Sequence, residues 1–203
     1  MIASSDASDA LLASHRREVT VLFCDLRGFT AFTEASEPEE VTAILREYHE
    51  CMGELIFRYE GPLERFFGDG IMIVFNDPIL CPDHTERAVR LALDMRGKVE
   101  ELAKGWARKG HLLGFGIGIA SGYATLGQVG FEHRREYTAN GSVINLAARL
   151  CDEAKPGQIM ISQRAFLEPW VGASHIGRLS LKGFNRPIDA YEVVSWHRTS
   201  GPS

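Results

Sequence analysis

The segment from residue 19 to residue 30, VTVLFCDLRGFT, constrains the fold more than any other part of the chain. Its first half is rich in β-branched and aromatic residues, which is typical of a buried strand. Asp25 stands where this apolar run ends, and the letters RGFT that follow Leu26 are typical of a turn leading into a helix. An acid there can hold a cation against a bound phosphate, or it can simply cap the helix. This segment alone favours the cap.

A second segment, residues 63 to 75, places another acid at the end of a strand. Its letters LERFFGDGIMIVF predict two strands joined by a tight turn, because Asp-Gly favours the two-residue turns of β-hairpins. Asp69 therefore lies at the tip of a predicted hairpin. If the hairpin is a neighbour of the first strand, Asp25 and Asp69 converge, and such paired carboxylates suit Mg²⁺ or Mn²⁺ bound with a polyphosphate.

Composition excludes several classes of protein. The net charge of −5 provides no basic surface for nucleic acid. The four cysteines and seven histidines are scattered without the spacing of a zinc site, so we expect free thiols. No apolar run is long enough to span a bilayer and none is typical of a signal peptide, which predicts a cytoplasmic protein without membrane contact from this chain. A sensor or regulatory domain in a longer parent protein is compatible with this composition.

Helical and strand patterns alternate along the chain, which predicts an α+β sandwich of helices packed on a sheet. We expect a flexible N-terminal tail or linker over residues 1–16, one domain over 17–197 and a C-terminal tail over 198–203. The predicted helices span 29–35, from the start signal Ser36-x-x-Glu39 to about 59, from Asp83-x-x-Glu86 to about 109, 142–155, and a short piece over 163–170. The further predicted strands span 113–129, 158–162, 175–181 and 188–196.

Glycine recurs at every second position of one predicted strand, at Gly114, Gly116 and Gly118. Because side chains alternate between the two faces of a strand, this pattern removes the side chains from one face. The bare face either packs tightly against another element or leaves room for a ligand. The sequence favours both alternatives equally.

Three motifs together resemble the catalytic domain of class III nucleotidyl (adenylyl/guanylyl) cyclases. They are F-x-D-x-x-G-F-T at residues 23–30, F-G-D-G at 67–70 and Y-T-x-x-G-x-x-x-N-x-A-x-R at 137–149, with L-K-G following at 181–183. Each motif is weak alone, but their order and spacing over residues 18–194 make the resemblance strong. It implies an α+β fold with a ferredoxin-like core, in which helices pack on a central, mostly antiparallel sheet.

The resemblance also implies a phosphorus-oxygen lyase. In this family the 3′-hydroxyl of a nucleoside triphosphate attacks its own α-phosphorus and pyrophosphate leaves, with the help of two Mg²⁺ or Mn²⁺ ions. Asp25 and Asp69 match the family's metal-binding aspartates. The phosphates would be bound by the turn that follows the first aspartate, formed by Leu26, Arg27, Gly28, Phe29 and Thr30.

Asn145 and Arg149 lie four residues apart and share one face of a predicted helix. Without the resemblance both would be interpreted as ordinary solvent-facing residues, and Lys182 as an ordinary loop lysine. By resemblance, Asn145 orients the ribose, Arg149 stabilises the pentavalent phosphorus with its fixed charge and planar donors, and Lys182 binds phosphate. In the family these residues come from one subunit and the metal aspartates from the other. The resemblance therefore implies a head-to-tail homodimer with two equivalent sites.

Two positions match those that read the purine in this family, Arg65 and Thr138. Adenylyl cyclases carry Lys at the first position and guanylyl cyclases carry Glu. Arg65 has only donors, so it can give a hydrogen bond to adenine N1 or to guanine O6, and Thr138 can accept one from the adenine amino group. Guanine would need a further acceptor. ATP is therefore favoured over GTP, with a plain surface role for Arg65 as the alternative.

Two departures from the family pattern keep other functions open. Gly116 stands where some members carry an arginine that contacts the phosphates, and Asn140 stands where an apolar residue is common. The leading hypothesis is an adenylyl cyclase of intracellular signalling, with a guanylyl cyclase as its nearest variant. A catalytically silent nucleotide-binding or dimerisation module is the alternative from another class, and a metal-dependent phosphotransferase that is not a cyclase is more distant. The presence of both aspartates, with Asn145, Arg149 and Lys182, favours the enzyme.

Overall fold

The computed structural model describes residues 14–61, 63–131, 134–166 and 170–196. Helices and strands alternate along these residues as the sequence predicts. Their bounds are β1 His15–Arg27, α1 Phe29–Ala35, α2 Pro38–Arg58, β2 Leu63–Phe67, β3 Gly70–Phe75, α3 His84–Arg108, β4 Gly114–Phe131, β5 Arg134–Asn140, α4 Ser142–Glu153, β6 Ile159–Ser162, α5 Gln163–Phe166, β7 Val171–Leu179 and β8 Ile188–Trp196.

The eight strands of the described residues form one sheet in the order β2-β3-β1-β4-β6-β8-β7, with β5 paired to β4 outside this path. The pairs are antiparallel except for β4 and β6, which run parallel. β1 lies in the interior of the sheet, and it pairs with β4 over its whole length, from His15 opposite Leu126 to Arg27 opposite Gly114. The predicted α+β class with a mostly antiparallel sheet is confirmed.

β1 is buried on both faces, which explains its uninterrupted apolar run. Leu22 and Cys24 pack into a core formed with α2 and α3, whereas Val19 and Val21 pack into a second core with α4. Because both faces are removed from water, the burial of each of these side chains stabilises the folded chain. The part of β1 that leads to Asp25 is thus packed on both faces.

The glycine-bearing face of β4 packs tightly against the chain itself. A Cβ at Gly118 would lie 2.8 Å from Cys151 Cα, because the backbone of α4 rests directly on the strand. A Cβ at Gly114 would lie 2.7 Å from Pro156 Cβ, and one at Gly116 would lie 2.6 Å from Arg27 Cζ. Tight packing is therefore the correct alternative for this face, and room for a ligand is wrong.

Local details differ from the sequence predictions at the starts of α2 and α3. Neither Ser36 nor Asp83 forms a side-chain cap: α2 begins at Pro38, whose fixed φ suits the first helical position, after Glu37 as the cap residue. Asp83 instead accepts a hydrogen bond from Arg87 Nε one turn later, at 2.9 Å.

The ends of the domain match the expected boundaries only in part. β1 begins at His15, so residues 15 and 16 belong to the sheet and not to the predicted N-terminal tail. Residues 1–13 of that tail, and the predicted C-terminal tail over 198–203, lie outside the described residues. The boundaries of the domain remain predictions.

Candidate active site

The structure brings Asp25 and Asp69 to the same corner of the sheet. β3 pairs antiparallel with β1, with Cys24 opposite Ile71, so the end of β1 lies beside the turn that joins β2 to β3. The backbone N–H of Leu26 donates a hydrogen bond to Asp69 Oδ2 at 3.1 Å. His49 on α2 fixes the same turn, since its Nε2 lies 2.9 Å from the Gly68 carbonyl oxygen.

Both carboxylates are partly buried, and burial raises their pKa. For Asp25 the pKa rises to about 6, because desolvation and the neighbouring charge of Asp69 outweigh the opposing effect of Arg27. Desolvation also raises the pKa of Asp69, against the hydrogen bond from Leu26. Two adjacent, partly desolvated carboxylates fit a divalent cation, since oxygen ligands of this kind are what Mg²⁺ and Mn²⁺ prefer. The metal-binding role itself stays a prediction.

Asp25 does not cap a helix. The cap residue of α1 is Gly28, in the left-handed conformation with φ 82°, and no side chain bonds to the start of that helix. A side chain at Gly28 would also crowd the Leu112 carbonyl oxygen, which lies 3.1 Å from the place of a Cβ. Asp25 instead accepts a hydrogen bond from the guanidinium of Arg27. The cap interpretation of Asp25 is therefore wrong.

Arg27 connects this corner to the last turn of α4. Its Nε donates to the Ala154 carbonyl oxygen at 2.8 Å, and its Nη2 donates to the carbonyl oxygen of Cys151. The guanidinium fills the space above Gly116, which stands opposite Asp25 in the β1–β4 pair. Sequence reasoning assigned only phosphate binding to this residue. The missing side chain at Gly116 was the one available sign of the contact.

Asn145 and Arg149 lie on the side of α4 that faces away from the sheet. The helix packs on the sheet through Val143 and Ala147, while Asn145 is exposed. Arg149 Nη1 donates to Asp152 Oδ2 at 2.6 Å on the next turn. No hydrogen bond among the described residues joins Asn145 or Arg149 to the two aspartates of the same chain.

The predicted base-reading residues lie on two strands that approach each other. Arg65 on β2 has its Nη2 3.5 Å from Glu136 Oε2 on β5. Glu136 precedes Thr138 by two positions on the same strand, so both side chains project from one face of β5. Lys182 lies apart from them, exposed in the loop between β7 and β8. Glu136 is a candidate that sequence reasoning missed.

A buried aspartate next to these strands was also missed. Asp77 is completely buried and accepts hydrogen bonds from Arg17 Nη1 at 2.7 Å and from the hydroxyl of Tyr137, and His15 Nε2 lies 2.8 Å from it. These contacts tie the start of β1 to β5, where Tyr137 precedes Thr138. Asp77 thus positions the strand that carries Thr138. Its partners are remote in the sequence, so no local pattern marks it.

Comparison with known proteins identifies the family. The family model of the adenylate and guanylate cyclase catalytic domain matches residues 11–193. The chain belongs to this family. Adenylate cyclase 1 of Rhizobium meliloti (strain 1021) is 34% identical to this cyclase domain over 188 residues, which cover 90% of the chain and 28% of that protein. The domain thus spans little more than a quarter of the length of this relative.

Solved structures of both kinds of cyclase resemble this domain. The crystal structure of the adenylyl cyclase CyaB from P. aeruginosa matches with a TM-score of 0.87 and 33% identity, covering 92% of this chain and 98% of that one. The crystal structure of the guanylyl cyclase Cya2 matches with a TM-score of 0.85 and 31% identity, covering 94% and 98%. The overall likeness therefore leaves open the choice between ATP and GTP. No helix of the described residues is long and apolar enough to cross a membrane.

Proposed function

We propose that this domain is an adenylyl cyclase that converts ATP to 3′,5′-cyclic AMP and pyrophosphate at the interface of a head-to-tail homodimer. The observation that carries the proposal is the meeting of Asp25 and Asp69, joined by the Leu26 N–H. Membership of the cyclase family supports the same reaction class.

Asp25 and Asp69 are the residues that would hold two Mg²⁺ or Mn²⁺ ions. When bound, such ions lower the pKa of the 3′-hydroxyl and neutralise the charge of the leaving pyrophosphate. The hydrogen bond from Leu26 and the guanidinium of Arg27 hold the two carboxylates in place before the metal binds. The turn over residues 26–30 is the proposed phosphate cradle, as the resemblance implies.

The outward face of α4 supports a site shared between two chains. Asn145 is exposed, and Arg149 forms a partly exposed ion pair with Asp152. Breaking such a pair to bind a substrate costs little free energy. We assign Asn145 to orienting the ribose and Arg149 to stabilising the charge at phosphorus, in the site whose aspartates belong to the partner chain. Lys182, on its exposed loop, would bind the phosphates of the same site.

The base contacts favour ATP. Arg65 can donate to adenine N1 and Thr138 can accept from the adenine amino group, which satisfies that edge of the base. GTP is the second candidate because of one observation: the carboxylate of Glu136 lies 3.5 Å from Arg65. This carboxylate could accept from guanine N1–H and from its amino group, while Arg65 donates to O6.

The decisive experiment assays cyclic AMP and cyclic GMP from ATP or GTP with Mn²⁺. We expect cyclic AMP from the wild-type chain and none from Asp25→Ala. The variant Glu136→Ala tests the second candidate, because removal of the acceptor should lower cyclic GMP formation more than cyclic AMP formation. Cyclic GMP as the main product would replace ATP by GTP. No product from either nucleotide, at concentrations that give a dimer, would favour the silent module.

A further inference from the structure

A cavity of about 810 Å³ adjoins the site described above, and Arg27 and Gly28 of the proposed phosphate cradle form part of its wall. Its walls are the second half of α3, the start of β4 with the residues just before it, and Pro156-Gly157 after α4. None of the proposed metal, ribose or base residues lines it. Its volume is within the range that proteins use for small organic ligands.

The walls of the cavity are mainly apolar. Val99, Ala103 and Ala107 contribute one side from α3, and Leu112 and Leu113 contribute the other. Leu112 is 84% exposed. An apolar side chain this exposed at the mouth of a cavity offers surface that a ligand would remove from water.

The charged residues around the cavity are mostly cationic. Arg27, Arg96 and Lys104 line it, against one carboxylate from Glu100. Arg96 and Lys104 have no ion pair with any residue that the structure describes. By contrast, three other cations of α3 each pair with a carboxylate, namely Arg87, Arg90 and Lys98. The cavity thus combines an apolar surface with two cations, Arg96 and Lys104, that form no ion pair among the described residues, whereas Arg27 is paired with Asp25.

We propose that this cavity binds a small amphipathic organic anion. Its apolar body lies against α3 and the residues before β4, and its anionic group lies among Arg27, Arg96 and Lys104. Because Arg27 also donates to Asp25, an anion beside Arg27 weakens the competition of that guanidinium with a metal ion at Asp25. The ligand therefore raises the affinity of Asp25 and Asp69 for Mn²⁺. This consequence rests on their proposed metal role, whereas the binding of the anion does not.

Two probes of equal chain length test the binding step, octane-1-sulfonate and octan-1-ol. Calorimetric titration of the purified chain, without metal or nucleotide, should give saturable binding of one sulfonate per chain. The neutral alcohol should bind about tenfold more weakly, because it has no negative charge to pair with the guanidinium and ammonium groups. Equal affinity for the two probes, or no saturable binding of the sulfonate, would overturn the proposal.

Variants locate the binding. Ala103→Trp fills the cavity, and Arg96→Ala combined with Lys104→Ala removes two of its cations. Each should weaken sulfonate binding about tenfold or more. The matched control is Lys98→Ala combined with Lys109→Ala, which removes the same charge from residues that do not line the cavity. If Ala103→Trp does not fold, Ala107→Trp is the alternative variant, because it fills the cavity from the same wall. Undiminished binding in a folded filled variant would place the anion elsewhere and contradict the proposal.

The second measurement is the affinity for Mn²⁺ with and without saturating octane-1-sulfonate. We expect an increase of about fivefold, at the low end of ordinary coupling between two sites. No change would contradict the link through Arg27. A chain that makes no cyclic nucleotide but binds the sulfonate in the cavity would refute the proposed function and leave the anion site standing. Binding to phosphatidylglycerol vesicles without binding of the free sulfonate would overturn the small-ligand proposal in favour of a membrane surface.

Discussion

At the scale of single residues, the affinity of Asp25 and Asp69 for a metal ion depends on their burial and on the charged groups close to them. Asp25 and Asp69 are partly buried, and the guanidinium of Arg27 is the cation that the structure provides within hydrogen-bond reach of Asp25. Each aspartate would gain from a metal ion more than a solvated carboxylate would, because burial has already removed part of its hydration.

Mn²⁺ should therefore stabilise the folded chain, and the two aspartates should be needed for it. At a concentration of about 100 times the dissociation constant, binding adds about 2.7 kcal/mol to the free energy of unfolding, or roughly 5 °C or more in Tm. Asp25→Asn and Asp69→Asn should each remove most of this shift in a thermal melt. The control Asp94→Asn changes an exposed acid on α3 and should keep it. A full shift in both site variants would exclude the metal assignment.

Arg27 should act as a positioning residue. Arg27→Ala removes its bonds to Asp25 and to the last turn of α4, and we expect a loss of roughly 10- to 100-fold in kcat, as for other residues that orient metal ligands. Arg27→Lys keeps the charge but not the planar set of donors, so it should restore only part of the rate.

A purely structural role for Arg27 would give another pattern. Arg27→Ala would then lower Tm while kcat, measured well below the melting temperature, stayed within the range of the control Arg46→Ala, an exposed arginine on α2. The split between kcat and KM for ATP, measured together with Tm for both variants, separates the two roles.

At the scale of helices and strands, the important contact is the one between α4 and β4. Gly118→Ala should be strongly destabilising, because the new Cβ would lie 2.8 Å from Cys151 Cα in the backbone of α4, which cannot move aside alone. Overpacking of this kind costs about 1–3 kcal/mol of unfolding free energy. Urea denaturation of Gly118→Ala and the wild-type chain measures this difference in unfolding free energy.

The chain offers matched controls for that substitution. Gly53 in α2 and Gly97 in α3 have no atom within 4 Å of the place of a Cβ. Alanine at either position should raise the unfolding free energy by roughly 0.5–1 kcal/mol, because alanine is a better helix former than glycine. A Gly118→Ala variant as stable as these two would show that α4 can shift on the strand.

The elements that the sequence predicts well are those with a local signal. β1, the β2–β3 hairpin, α2 and α3 have apolar patterns or turn residues within a few positions of each other, and their pairing brings Asp25 and Asp69 together. β5 was not predicted, because its letters RREYTAN contain only two apolar residues, Tyr137 and Ala139, and it pairs only with β4 at the border of the sheet. The burial of Asp77 could not be predicted either, since its hydrogen-bond partner Arg17 lies 60 positions away in the sequence.

The same distinction applies to the candidate site. The motif aspartates carry a local signal, whereas the contact of Arg27 with residues of the last turn of α4 joins positions more than 120 apart. Glu136 meets Arg65 although 71 positions separate them in the sequence. Contacts of this kind follow from the assembled sheet, and no pattern in a single stretch of chain encodes them.

At the scale of the whole molecule, the proposed site needs two chains. An Asp25→Ala chain and an Arg149→Ala chain should each be inactive alone. When they are mixed in equal amounts and exchange subunits, about half of the dimers are mixed, and each mixed dimer has one of its two sites intact. About a quarter of the wild-type cyclic nucleotide production should return. The measurement is a titration of one variant into the other at constant total protein.

The control for this mixing experiment combines both substitutions in one chain. The chain carrying Asp25→Ala and Arg149→Ala, mixed in equal amounts with wild type, should leave only about a quarter of the wild-type production, because a mixed dimer then has no intact site. If the two single variants show no recovery while a pull-down through an affinity tag on one variant confirms mixed dimers, then each site is completed within one chain, and the division of roles between subunits is wrong.

The guanidinium of Arg27 fills the space above Gly116, so the side chains at these two positions compete for the same volume. The residues at positions 27 and 116 should therefore change together in evolution. A protein of this fold has room for a long side chain at one of the two positions but not at both. If the long side chain moves from one position to the other by single substitutions, the intermediate protein has either a steric clash or a cavity. Alignments of relatives should therefore show mutual exclusion at this pair. An arginine introduced at position 116 should be tolerated only together with a small residue at position 27.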